Sequence, residues 1–287
     1  MENFMNLHNL RRPLWTAALT LGLALTAGGS FAQNTLEQIR AAGKVTVATE
    51  AAFPPFEFVE DGEIVGYGKD LLTEVVAEMG VELDQLDLPW QGVLPGLLAK
   101  KFDFVATTVA INEERAQRYA YTMPMADGQP YFATRVGTEL MSEDDLAGLK
   151  VGTQLASFAE PIARALDERL TAEGEGFGEL KLYPSFPDAY VALATGEVDA
   201  VIQALPSLAV LVKERPEVFA LGKPVKTGVS YTYLAWVTRP DDLELRDFIS
   251  SVFLKMRDDG RMAALQQKWF GFEMEIPTEG YLPPGSF

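Results

Sequence analysis

A chain of 287 residues in which 41 acidic side chains outnumber 24 basic ones carries a net charge of −17, which makes nucleic acid and anionic membrane surfaces poor partners. It has no cysteine, and this excludes disulfides, thiol catalysis, thiolate metal sites and a lipid-modified cysteine anchor. The single histidine is His8, so beyond the N-terminal segment neither a Ser–His pair nor a histidine metal site can form, and no cofactor is expected.

The N-terminus reads as a secretory signal. Arg11 and Arg12 form its basic part, residues 14–27 its apolar part, and Ser30 and Ala32 supply the small residues for cleavage after Ala32. The apolar run is too short for a secure membrane span, which predicts an exported, periplasmic chain without a lipid anchor. What remains is enough for one large or two medium domains.

From there strands alternate with amphipathic helices. Residues 44–50 (KVTVATE) alternate as a strand, and 69–79 have helical periodicity that Gly80 ends. Residues 83–88 return to strand character. Residues 93–100 follow as a helix with Pro95 in its first turn, 102–107 as a buried strand and 113–121 as a further helix. A second run predicts a strand over 149–153, a helix over 159–170, an exposed loop over 172–178, a strand over 180–183, a helix over 187–195 and a strand over 198–203. The tail adds a strand over 232–238 and helices over 243–259 and 262–269, with Gly260 between them. This rhythm predicts an α/β fold with mostly parallel pairing.

An internal echo points to two similar lobes. Residues 98–105 (LAKKFDFV) resemble 194–201 (ATGEVDAV), placing Asp103 and Asp199 in equivalent turns before apolar strands, 96 residues apart. The expected division is residues 33–134 for the first part of lobe one, 135–234 for lobe two and 235–287 for the return to lobe one. Crossings near 132–136 and 231–237 then create a hinge and a cleft.

In order and spacing, a series of segments resembles the family 3 extracellular solute-binding proteins, the polar amino-acid binders of ABC importers. They are 52–58 (AFPPFEF), 66–72 (GYGKDLL, with Gly68 in place of the first Asp), 90–95 (WQGVLP), 111–115 (INEER), 145–152 (DLAGLKVG), 196–200 (GEVDA) and 268–271 (KWFG). The resemblance covers essentially all of the mature chain. It implies a two-lobed periplasmic-binding fold of type II, each lobe a mixed sheet flanked by helices, and a monomer that hands a small zwitterion to a membrane permease.

The resemblance also assigns roles. Asn112 reads as an N-cap, which sets Arg115 in the first helical turn, an unusual place for a cation; the resemblance makes it the clamp for a ligand carboxylate. Thr107 and Thr108 end a strand and offer hydroxyls to the cleft. Ser157 and Phe158 precede a helix whose free N–H groups would complete the carboxylate site, with Ala156 where relatives have Gly. Glu50, Phe53 and Trp90 match side-chain recognition positions, the two aromatics suited to hold a diffuse cation. Ala110 and Ala204 stand where relatives carry the Ser and the carboxylate that anchor an α-ammonium, and Gln203 beside them is neutral. The expected ligand is therefore a zwitterion whose cation is substituted, cyclic or displaced from the α carbon. Two alternatives stay open on the same fold: a periplasmic enzyme resembling cyclohexadienyl dehydratase, and an accessory protein of a periplasmic dehydrogenase.

Overall fold

The computed structural model describes residues 34–226 and 233–287, so the expected signal segment and residues 231–232 of the second crossing lie outside the described residues. Helix α1 (Thr35–Ala42) is capped by the Asn34 side chain, which accepts from the Glu37 amide, and leads into β1 (Lys44–Thr49). An antiparallel ribbon follows, made of β2 (Ala52–Phe53), β3 (Glu57–Glu60) and β4 (Glu63–Val65). Next come α2 (Tyr67–Met79), β5 (Glu82–Asp87), α3 (Trp90–Leu98), β6 (Phe104–Ala110), α4 (Glu113–Ala116), β7 (Ala120–Tyr121) and β8 (Ala126–Asp127). The second run holds β9 (Pro130–Arg135), β10 (Lys150–Gln154), α5 (Ala159–Glu173), β11 (Glu179–Tyr183), α6 (Phe186–Thr195), β12 (Ala200–Ala204), α7 (Leu205–Glu214) and β13 (Phe219–Pro224). The chain ends with β14 (Tyr233–Thr238), α8 (Leu243–Asp258) and α9 (Arg261–Trp269).

Two sheets share one plan. The first has the order β5-β1-β6-β14-β7, with β8 also on β14; the second has the order β11-β10-β12-β9-β13. In each, three parallel strands meet one antiparallel strand, β14 against β6 and β9 against β12. The central strands β6 and β12 are buried along their whole length, as expected of strands covered on both faces. The internal echo carries the same hydrogen bonds in both sheets. Asp103 Oδ2 accepts from the Thr46 amide at 2.8 Å, and Asp199 Oδ2 from the Lys150 amide at 3.1 Å. Thr49 Oγ1 donates to Ala106 O and Thr153 Oγ1 to Ile202 O, each at 3.0 Å.

Several elements depart from the sequence reading. Helix α3 begins at Trp90, so Pro95 lies in its interior and not in its first turn. The helix expected over 113–121 stops at Ala116, because Ala120–Tyr121 pairs with Thr238 and Val237 of β14 and the Tyr121 hydroxyl donates to Ala110 O at 2.8 Å. Tertiary pairing overrides a local helical pattern here. Residues 132–135, expected at a crossing, belong to β9 inside the second sheet, paired with both β12 and β13. The boundaries drawn at 134 and 235 thus fall inside β9 and β14.

Candidate functional site

The parallel strands of both sheets end at the same cleft. β1 gives way to Glu50, and β10 ends on Gln154, the residue after the equivalent threonine. These two side chains meet: Gln154 Nε2 donates to Glu50 Oε1 at 2.5 Å and to Pro184 O at 3.2 Å. The first residues of α3 and α6, Trp90 and Phe186, stand in a second equivalent pair and both face the same cavity. Its open space is about 20 Å³, room for roughly one water, so a ligand enters only when the lobes part or these side chains separate.

Eight expected residues line this cavity: Glu50, Phe53, Trp90, Thr108, Ala110, Arg115, Ser157 and Phe158. Gln154, Phe186 and Leu234 line it too, and the sequence reading missed them. A signal for Phe186 was present, since it lies 96 residues after Trp90, the spacing that relates Asp103 to Asp199. Three expected residues are not brought to the cavity. Side chains alternate along a strand, so Thr108 and Ala110 face the cleft while Thr107 turns away and donates to Glu57 Oε2 at 2.8 Å. Gln203 is fully buried, with its Oε1 folded back to accept from the Ala204 amide at 2.6 Å, and Ala204 caps α7 behind the wall.

Arg115 is held from its backbone outward. Its amide donates to the Asn112 side chain at 2.7 Å, confirming the cap. Its guanidinium lies 5.5 Å from the Trp90 ring centroid, and Nη2 donates to Ala156 O at 3.1 Å. Nη1 is buried and has no hydrogen-bond partner among the described residues. A buried guanidinium N–H without an acceptor is costly unless an acceptor arrives, and a carboxylate is the acceptor whose geometry suits that fork.

The loop before α5 is built differently from expectation. Ala156 takes a left-handed conformation (φ 60°), so the turn that glycine would supply is retained with a methyl group. Its amide donates to Glu160 Oε2 at 2.7 Å, and the Ser157 amide to Gln154 O at 3.3 Å. Ser157 Oγ donates to Gln154 O and accepts from the Ala159 amide. Ser157 Oγ thus takes the amide of Ala159, the first residue of α5 and one of the helix-start N–H groups expected to serve a ligand carboxylate.

The opposite wall carries the acid. Burial pushes the Glu50 carboxyl up to about 7; the Gln154 hydrogen bond opposes that shift and the charge of Asp87 adds to it. Behind it, fully buried Glu57 is raised well above the ordinary carboxylate range, chiefly by burial, with the Glu50 charge adding to the shift. Both folded-state values lie above the unfolded ones, so the folded protein holds these protons more tightly. Their contribution to stability is then fully present below about pH 4.5, and that of Glu50 is lost as pH rises through about 7. In urea unfolding of the ligand-free protein across that window, Glu50→Gln should remove roughly 1.4 kcal/mol per pH unit of the decline. An unchanged slope would mean that Glu50 does not carry the proton.

A model of the bacterial extracellular solute-binding proteins, family 3, matches residues 45–272. The chain is 28% identical over 262 residues to the L-cystine-binding protein TcyJ of Escherichia coli (strain K12), covering 88% of this chain and 94% of that protein. It is 26% identical to the L-arginine-binding protein of Pseudomonas aeruginosa, covering 88% and 97%. Among solved structures, an ancestral arginine-binding protein bound to arginine matches with a TM-score of 0.71 at 28% identity, covering 80% of this chain and 99% of that one. The match to the substrate-binding protein AbpA of Streptococcus pneumoniae bound to L-arginine has a TM-score of 0.72 at 27% identity, covering 83% and 100%. These relatives are binding proteins and not enzymes, and their fold is the two-lobed one. The chain belongs to the bacterial extracellular solute-binding proteins, family 3.

Proposed function

We propose that this chain captures a small carboxylate-bearing zwitterion between its lobes and delivers it to the membrane permease of an ABC importer. The observation that carries the reading is the buried, unpartnered Nη1 of Arg115 in a cavity whose far wall holds Glu50. Arg115 and the Thr108 hydroxyl take the carboxylate. The ligand cation takes Glu50 and releases Gln154 from it. Trp90, Phe53 and Phe186 enclose the portion between, Phe53 and Phe186 lying 5.6 Å apart across the cleft.

The floor of the cavity supports a finer ligand class. Ala110 pairs with Leu234 in the sheet, and both face the cavity, so among the described residues neither of this pair offers a hydroxyl or carboxylate to hold an α-ammonium. Aromatic walls and, among the described lining residues, one acid at the far end favour a substituted or cyclic cation, each aromatic contact contributing roughly 0.5–2 kcal/mol. A thermal-shift screen should give larger shifts with ectoine and betaines than with the twenty common amino acids. A larger shift with arginine, histidine or cystine would overturn the finer class and leave an ordinary amino acid as the ligand.

Export and oligomeric state complete the reading. The secreted protein begins at Gln33 after cleavage and acts as a monomer. Intact-mass measurement of the periplasmic form and its elution volume check both.

A further inference from the structure

The closed cleft is fastened by side chains of the first lobe that donate to main-chain carbonyls at the strand ends of the second. Trp90 Nε1 donates to Ala156 O at 2.8 Å, and Arg115 Nη2 shares that acceptor. Gln91, the second residue of α3, spans two further carbonyls: its Nε2 donates to Pro184 O at 3.2 Å and to Leu155 O at 3.4 Å. The left-handed turn at Ala156 sets the path of the main chain between Leu155 and Ser157, where two of these three acceptors lie. Trp90 and Arg115 also line the cavity, so their bonds across the cleft cannot be separated from ligand contact. Gln91 does not line it.

We infer that Gln91 is a positioning residue of closure, a latch that biases the two lobes toward each other without touching the ligand. It rests on the reading of the cavity as a closing ligand site. Opening returns the Leu155 carbonyl to water and leaves the Pro184 carbonyl to Gln154, and closing adds one amide donor to both. The bonds lie at the exposed rim, so the gain is modest and belongs to the closed form alone. A ligand bound behind the latch is released more slowly, and the order in which ligands are preferred stays as the cavity sets it.

The chain has no cysteine, so Thr73→Cys on α2 and Glu168→Cys on α5, both exposed, provide two unique spin-label sites, one on each lobe. Pulsed dipolar spectroscopy of the ligand-free protein then reads the ratio of closed to open distances. Gln91→Ala and the isosteric Gln91→Glu, which lacks the donor, should lower that ratio about threefold to tenfold, whereas Gln91→Lys, which keeps a donor, should stay within about twofold of wild type. Identical distributions for wild type, Gln91→Ala and Gln91→Glu would overturn the latch. Because no ligand is present, this result stands whichever compounds the thermal-shift screen selects, and a failure of the ligand reading shows in that screen instead.

Discussion

Arg115→Ala should abolish ligand capture while leaving the fold nearly as stable as before. The guanidinium presents one buried, unpartnered nitrogen to the cavity, and among the described residues that line it no other cationic side chain is present. Removing the partner of a buried carboxylate costs about 2–5 kcal/mol, which is roughly 30-fold to several thousandfold in affinity. The folding cost is small, because the side chain is half-buried and loses only its bond to Ala156 O and its stacking on Trp90. Arg115→Lys should recover part of the binding, as it keeps the charge and loses the fork. Calorimetry with the compound that gives the largest thermal shift decides this. Affinity within a few-fold of wild type would move the carboxylate clamp away from Arg115.

Gly68→Ala should destabilise the protein, against the usual direction of a glycine-to-alanine change within a helix. In isolation the change stabilises an exposed helix by roughly 0.5–1 kcal/mol. Here the added Cβ would lie 1.7 Å from Glu57 Oε1, whose carboxyl is fully buried and held by Thr107. Forcing an atom into a packed interior costs about 1–3 kcal/mol, so the overlap outweighs the helical gain. In a Glu57→Ala background the obstruction is gone and Gly68→Ala should become neutral or stabilising. Urea unfolding of the four proteins in this cycle reads the coupling directly. Additive effects would mean that the two residues do not oppose each other. The pair also accounts for the glycine that departs from the family pattern: any side chain at 68 would have to share space with the Glu57 carboxyl.

The chain order of the main helices and strands was legible in the sequence because local chemistry specifies it. Period-two and period-3.6 patterns, the Asn112 cap and the left-handed glycines Gly80 and Gly260 each act within a few residues. Arg115 was legible for the same reason: a cation in the first turn of a helix is locally unfavourable and draws attention to itself. Other features depend on partners far along the chain. Tyr121 leaves its predicted helix for a strand at residue 237, and Thr107 turns its hydroxyl to Glu57 while its neighbour Thr108 reaches the cavity. Gln154 and Phe186 reach the site because the second sheet repeats the first and its strand ends meet those of the first at the cleft. The 96-residue spacing pointed to that repeat, but only the closed pair of lobes brought Gln154 against Glu50. Which side chains line a cleft depends on strand phase and on the approach of two separately built sheets, and neither is a property of any local run of residues.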